Sequence, residues 1–368
     1  MTNKTSLALV FGGRSGEHEV SLMSARSVLS VLSKDKYDVT EIGISREGLW
    51  FTGSNVLESF EANRLEGLSP VVLLPEPHKQ SLFIRNADRF EPLPSIDVFF
   101  PVTHGTFGED GTLQGLFELA DAAYVGCGVL ASAVGMDKSL FKDVMRTNNI
   151  PVVDSVLLNR AEISTDIESC IRRIESAFPF PVFVKPANLG SSVGITKCRT
   201  RSDLFEGLME AAQYDRRVLV ERGINAREIE VSVLGNSEVL SSVPGEVKPS
   251  DDFYTYEAKY IDEHSELIIP AKLTREKTNL CRDLAIRAFK AIDGAGMGRV
   301  DFLMDRVTDE IYLSEINTIP GFTRISMYPK LLQAVGISYE SLVEKLIELA
   351  LERKSERDHT LHTYRRDA

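Results

Sequence analysis

Cysteine is scarce: the 368 residues hold four, Cys127, Cys170, Cys198 and Cys281, with no C-x-x-C pair. Such wide spacing argues against a disulfide frame and a zinc site, and reads as reduced thiols in a cytoplasmic protein. Long hydrophobic runs are missing as well. The opening run, Leu7 to Phe11, has only Lys4 ahead of it. It is too short for a signal-peptide core or a bilayer span, so no membrane role is expected. Positive charge is in deficit, with 42 Lys and Arg against 54 Asp and Glu, a net −12. A nucleic-acid partner is therefore not expected, because a phosphate backbone needs clustered cations. A small anion can still be held by a few local ones.

What remains is an ordinary globular mixture, 43% hydrophobic and 26% charged. At this length two or three domains are expected. No repeat or low-complexity tract is visible. Leu7 to Phe11 reads as a strand, then a Gly-Gly turn and a helix over Val20 to Leu32. Arg46 to Pro94 is Pro-punctuated and weakly periodic, and Ile96 to Val102 is a second apolar strand. Strands alternating with helices predict an α/β fold with a parallel N-terminal sheet. Texture divides the chain at 1–130, 131–222 and 223–368. A last helix is expected over Ser338 to Glu352, with a polar tail that frays from Arg353.

Four constellations carry chemistry. Val10 to Ser21 reads Val-Phe-Gly-Gly-Arg-Ser-Gly-Glu-His-Glu-Val-Ser, a strand, a glycine turn and a helix start. Its glycines do not match a dinucleotide fingerprint, and Glu19 is the functional candidate, although acidic residues at a helix start also complement its dipole. His104 to Gly111 follows the second apolar strand, where open α/β sheets bind ligands. His104 is a candidate there, and Asp110 is expected to cap the next helix. In Val182 to Ile195, a strand delivers Lys185 to a loop with Gly190, Ser191, Ser192 and Gly194. Small residues let several N–H groups turn toward one anion, so this reads as a nucleotide phosphate clamp.

The fourth is a hairpin, Gly298 to Met304 and Tyr312 to Gly321. Strand alternation can set Asp301, Glu315 and Asn317 side by side. Oxygen ligands without His or Cys suit Mg²⁺ or Mn²⁺. A fifth segment, Asp252 to Tyr260, reads as a loop of lid type.

These motifs resemble those of the D-alanine–D-alanine ligase family of the ATP-grasp superfamily. The matching pieces are Glu17 to Ser21, the His104 loop, Met136-Asp-Lys138, the Lys185 loop, Tyr-Glu-Ala-Lys-Tyr260, Gly-Arg-Val-Asp301 and Glu315 to Phe322. They stand in family order over nearly the whole chain. The resemblance implies a three-domain ATP-grasp architecture, ATP, two Mg²⁺ or Mn²⁺ ions, D-alanine as substrate, a homodimer and a role in peptidoglycan precursor synthesis.

By the same resemblance, Glu19 holds the first substrate's ammonium, linked to Ser191 and Tyr260. Lys138 and Lys185 contact ATP phosphates, and Lys259 the transferring phosphate. Arg299 and the Gly321 N–H form an oxyanion site with His104 nearby, and Ser326 binds the second substrate's carboxylate. Glu221 reaches the adenine amino group with backbone of Gly223 and Ile224, and Glu228 the ribose. Asp301, Glu315 and Asn317 hold the metal ions. Glycine at 223, where relatives often carry an aromatic, removes stacking on adenine there. Relatives joining D-alanine to D-serine or D-lactate, other ATP-grasp ligases and a silent nucleotide-binding regulator are the alternatives.

Overall fold

Leu7 to Phe11 are wholly buried, as a strand covered on both faces requires. The computed structural model describes residues 4–77, 82–190, 193–248 and 266–361, and this run forms β1 (Thr5–Gly12). It pairs in parallel with β2 (Tyr37–Ile44) and with β7 (Val98–Pro101). Alternation assigns its two faces. Leu7, Leu9 and Phe11 pack with Leu22, Ala25 and Val28 of the first helix (His18–Leu29). Ala8 and Val10 pack with Leu113 and Phe117 of the helix Thr112–Leu119 on the other face.

The N-terminal sheet is not purely parallel. Beyond β2 it runs antiparallel through β3 (Trp50–Thr52), β4 (Ser69–Leu73), β5 (Leu82–Arg85) and β6 (Phe90–Pro92). These strands are at most five residues long and largely half-exposed, so neither alternation nor a buried run marks them.

A second, antiparallel sheet holds β8 (Ser155–Asn159), β9 (Val182–Pro186), β10 (Thr196–Cys198) and β11 (Arg217–Arg222). Val182, Val184, Val218 and Val220 share a core with the helices Arg160–Ala177 and Arg201–Tyr214. Lys185 and Glu221 therefore fall on the opposite face.

The third sheet holds β12 (Ala226–Gly235), β13 (Val239–Ser241), β14 (Gly245–Lys248), β15 (Glu266–Ile268), β16 (Gly296–Asp305) and β17 (Ile311–Asn317). Its core includes Phe141 and Met145 of the helix Lys138–Thr147 as well as Phe289 of the helix Arg275–Ala291. The segment read as the start of the middle region thus packs with the third.

The last helix runs Tyr339–Arg357 and does not fray at Arg353. Its Leu342, Val343, Leu346 and Ile347 join the core under β1. Arg353 lies 4.2 Å from the Tyr124 ring centroid and donates to the Gly126 carbonyl at 2.6 Å. Arg357 pairs with Glu118 and Asp121. The tail therefore bolts the third region to the first. All four cysteines are free and buried. Among the described residues, no helix is long and apolar enough to cross a membrane.

Candidate active site

A cavity of about 990 Å³ opens where the three sheets converge. The N-terminal unit lines it with Glu17, His104 and Glu109. Lys138, Leu189 and Gly190 form another wall, and Glu230, Arg299, Glu315, Asn317, Gly321 and Ser326 the rest.

Glu19 is not in this cavity. It sits in the first turn of the helix that follows Glu17, 61% exposed at its side chain, and pairs with Arg46. Glu17 is buried and lines the cavity. Two helical residues on, a side chain points roughly 200° away, so only one of these glutamates can face inward. A Cβ at Gly105 would come within 2.5 Å of the Glu17 carboxylate, and one at Gly190 within 3.0 Å. Both glycine loops thus close onto Glu17. Ser21 fixes the approach: it accepts from the Gly12 N–H and donates to the Val102 carbonyl, each at 2.7 Å, tying the ends of β1 and β7.

His104 is buried with both ring nitrogens engaged. Nδ1 lies 2.9 Å from the Ile319 carbonyl, and Nε2 lies 3.0 Å from Ser24 Oγ. A carbonyl only accepts, so Nδ1 carries the proton and Nε2 accepts from the serine. Burial lowers the His104 pKa against the pull of Glu17, and the ring is neutral. Asp110 accepts from the Thr112 N–H at 3.1 Å, bracing that helix start although Gly111 occupies the cap position. Glu109, on the same loop, accepts from the N–H groups of Gly105 at 2.7 Å and Ile319 at 3.1 Å. Burial and then Glu17 push its pKa up to about 8.

The hairpin has the expected register. Asp301 lies opposite Glu315, and Arg299 opposite Asn317. Arg299 grips Asp301 at 2.8 and 2.7 Å and reaches Glu230 at 3.0 Å. The Asn317 amide donates to Asp301 at 2.9 Å. Among the described residues, no three His, Cys, Asp or Glu side chains form a ready metal cage. Two carboxylates and an amide oxygen on one strand pair do fit a hard cation that keeps water and shares substrate phosphates.

Lys138 Nζ donates to the Leu189 carbonyl at 2.7 Å and lies 3.9 Å from Glu315. Lys185 does not line the cavity. It pairs with Glu221 at 2.7 Å, and Lys142 meets the other Glu221 oxygen at 2.8 Å. Burial alone would raise the Glu221 pKa, but the two lysines outweigh it and hold it at about 2. Gly223, Ile224 and Glu228 also stand outside the cavity lining. The Gly223 N–H donates to the Pro181 carbonyl at 3.0 Å, and a Cβ there would meet that oxygen at 2.3 Å. Ser326 stands at the N-cap position of the helix Met327–Gln333, and its hydroxyl accepts from the Thr323 N–H at 3.1 Å instead of from the helix. Ser191, Lys259 and Tyr260, with the lid segment Asp252 to Tyr260, lie outside the described residues.

Sequence reasoning passed over Glu109, Lys142 and Glu230. Glu230 was accessible to it: alternation on β12 puts Glu228, Glu230 and Ser232 on one face, beside the Arg299–Asp301 face of β16.

Two family models match the chain, "D-ala D-ala ligase N-terminus" over residues 6–127 and "D-ala D-ala ligase C-terminus" over 144–348. A D-alanine–D-alanine ligase of Heliobacterium modesticaldum is 48% identical, covering 96% of each chain. One from a Thermoanaerobacter species is 49% identical, covering 96% of this chain and 98% of that one. Among solved structures, the VanG D-Ala:D-Ser ligase of Enterococcus faecalis superposes with a TM-score of 0.84 at 35% identity, over 95% of this chain and 100% of its own. The D-alanine–D-alanine ligase of Coxiella burnetii gives 0.81 at 36%, over 96% of each. Similarity this extensive, running through both halves in order, means that the chain belongs to the D-alanine–D-alanine ligase family and has its ATP-grasp fold.

Proposed function

We propose that this chain uses ATP to join two D-alanines into D-alanyl-D-alanine, a peptidoglycan precursor. The observation that carries the reading is the single cavity in which Glu17, Arg299 and the Glu315–Asn317 strand face one another. An amino acid needs a partner for its ammonium, and an acyl phosphate needs cations for its oxygens. This cavity offers both.

A carboxylate is a poor acyl donor. One carboxylate oxygen of the first D-alanine attacks the γ-phosphorus of ATP, the bond to the β-phosphate oxygen breaks, and ADP leaves. The amine of the second D-alanine then attacks the acyl carbon. The tetrahedral species collapses by breaking the C–O bond, releasing inorganic phosphate, and the amine gives up a proton.

Glu17, in place of Glu19, receives the first ammonium, with Ser191 and Tyr260 linked to it. Lys138, Lys185 and Lys259 offset phosphate charge. For Lys185 this requires exchanging Glu221 for a phosphate. Arg299 and the Gly321 N–H stabilise the oxyanion, as pre-aimed donors do, and Ser326 takes the second carboxylate. Glu221 accepts from the adenine amino group beside Gly223 and Ile224 backbone, and Glu228 binds the ribose. Asp301, Glu315 and Asn317 would hold two Mg²⁺ or Mn²⁺ ions, which when bound neutralise charge on the phosphoryl oxygens. A cytoplasmic homodimer belongs to the same reading.

The test is phosphate release with ATP and Mg²⁺, offering D-alanine alone and then with D-serine or D-lactate, with products identified by mass. D-alanine-dependent release yielding D-alanyl-D-alanine is expected. A mixed product formed in preference would overturn the acceptor assignment, and no release with D-alanine would overturn the activity.

A further inference from the structure

Two side chains of one N-terminal loop hold one residue of the third region from both of its backbone polar groups. Glu109 Oε1 accepts from the Ile319 N–H at 3.1 Å. His104 Nδ1 donates to the Ile319 carbonyl at 2.9 Å. The second Glu109 oxygen is anchored at home by the Gly105 N–H at 2.7 Å. Ile319 is buried, and it stands between Asn317 and Gly321 on a segment outside any helix or strand. Ser24 extends the same network, lying 3.0 Å from His104 Nε2 and accepting from the Phe322 N–H at 3.4 Å. Phe322, at the far end, is held separately by packing against Phe100 of β7 and by the Tyr339 hydroxyl, which donates to its carbonyl at 2.6 Å. The bonds at Ile319 therefore fix the near end and with it where the Gly321 amide points.

We propose that Glu109 is a positioning residue: by bridging Gly105 and Ile319 it fixes the Thr318–Phe322 loop and aims the Gly321 N–H at the developing oxyanion. The inference rests on the oxyanion role given above to Gly321. Displacing a donor by about 1 Å is costly in catalysis because its energy is gained only at the transition state. Glu109 needs no contact with substrate to have this effect. Its carboxyl group is suited to the task because both of its oxygens meet N–H groups and either oxygen can accept whether or not the group carries a proton. A glutamine would turn an NH₂ toward one of them and lose that bond.

Glu109→Gln tests the idea. The expected result is a fall in kcat of at least tenfold, with KM for ATP within twofold, and faster amide exchange in the peptide covering residues 318–322. Affinity for a phosphinate mimic of the tetrahedral species should fall by the same factor as kcat. A folded variant with kcat within twofold of the parent, or with unchanged exchange at 318–322, would overturn the proposal. So would a raised KM for D-alanine at unchanged kcat, which would make Glu109 a substrate contact. Faster exchange and lower kcat with unchanged phosphinate affinity would support the positioning role while refuting the oxyanion role of Gly321. If Glu109→Gln shows no cooperative melt, His104→Gln probes the clamp from its carbonyl side, with the same exchange and kcat readouts.

Discussion

Two buried carboxylates near the cavity solve the same electrostatic problem in opposite ways. Glu221 is closed in by Lys142 and Lys185 and stays ionised to about pH 2. Glu109 meets two backbone N–H groups and has Glu17 as its electrostatic neighbour, and its pKa rises to about 8. One carboxylate is thus balanced by lysines within the fold, while the other is held by backbone N–H groups beside a second acid. Glu221 is balanced by Lys142 and Lys185, and on the proposed function a nucleotide would have to compete for Lys185. On the same proposal, the Glu17–Glu109 corner is where the first substrate's ammonium would arrive.

Breaking the triad from its centre has the largest expected effect. Glu221→Gln leaves two buried lysines facing each other, and unfolding stability should drop by about 3–5 kcal/mol in denaturant titrations. Lys142→Met removes one of two charged hydrogen-bond partners and leaves Glu221 paired with Lys185, so a smaller loss of about 2 kcal/mol is expected. If the two variants were equally destabilised, Lys185 would contribute nothing to holding Glu221.

The pH dependence of stability sharpens the contrast, since the two carboxylates act with opposite sign. Glu221 is depressed from 4.5 to about 2, so its contribution is present above pH 4.5 and is lost as pH falls toward 2. Glu109 is raised from 4.5 to about 8, so its contribution is full below pH 4.5 and is lost as pH rises through 8. Denaturant midpoints should therefore rise with pH on the acid side and decline toward pH 8, and Glu109→Gln should flatten only the decline. The smallest effect is expected outside the cavity. Arg357→Ala cuts the partly exposed pairs to Glu118 and Asp121, and about 1 kcal/mol should be lost.

The sequence made the hairpin legible because alternation on β16 and β17 is long and flanked by apolar residues that have one place to go. The N-terminal strands β3 to β6 were not legible, being short and half-exposed at a sheet edge. Lys142 was invisible because nothing in its helix pattern separates a buried lysine from a solvated one until Glu221 arrives from a distant strand. The motif containing Glu17 and Glu19 was found, yet which glutamate faces inward depends on where the helix begins, and a one-residue uncertainty there changes the answer. Arg353 and Arg357 read as a fraying tail for a related reason: their partners lie more than 200 residues away.

On the proposed function, the acidic corner receives the first D-alanine through Glu17. D-alanine-dependent phosphate release should be measured for the parent, Glu17→Gln and Glu19→Gln. Glu17→Gln is expected to lower kcat/KM for the first D-alanine at least 100-fold, about 2.7 kcal/mol, with Glu19→Gln within threefold of the parent. The reverse pattern, with Glu19→Gln crippled and Glu17→Gln active, would contradict it.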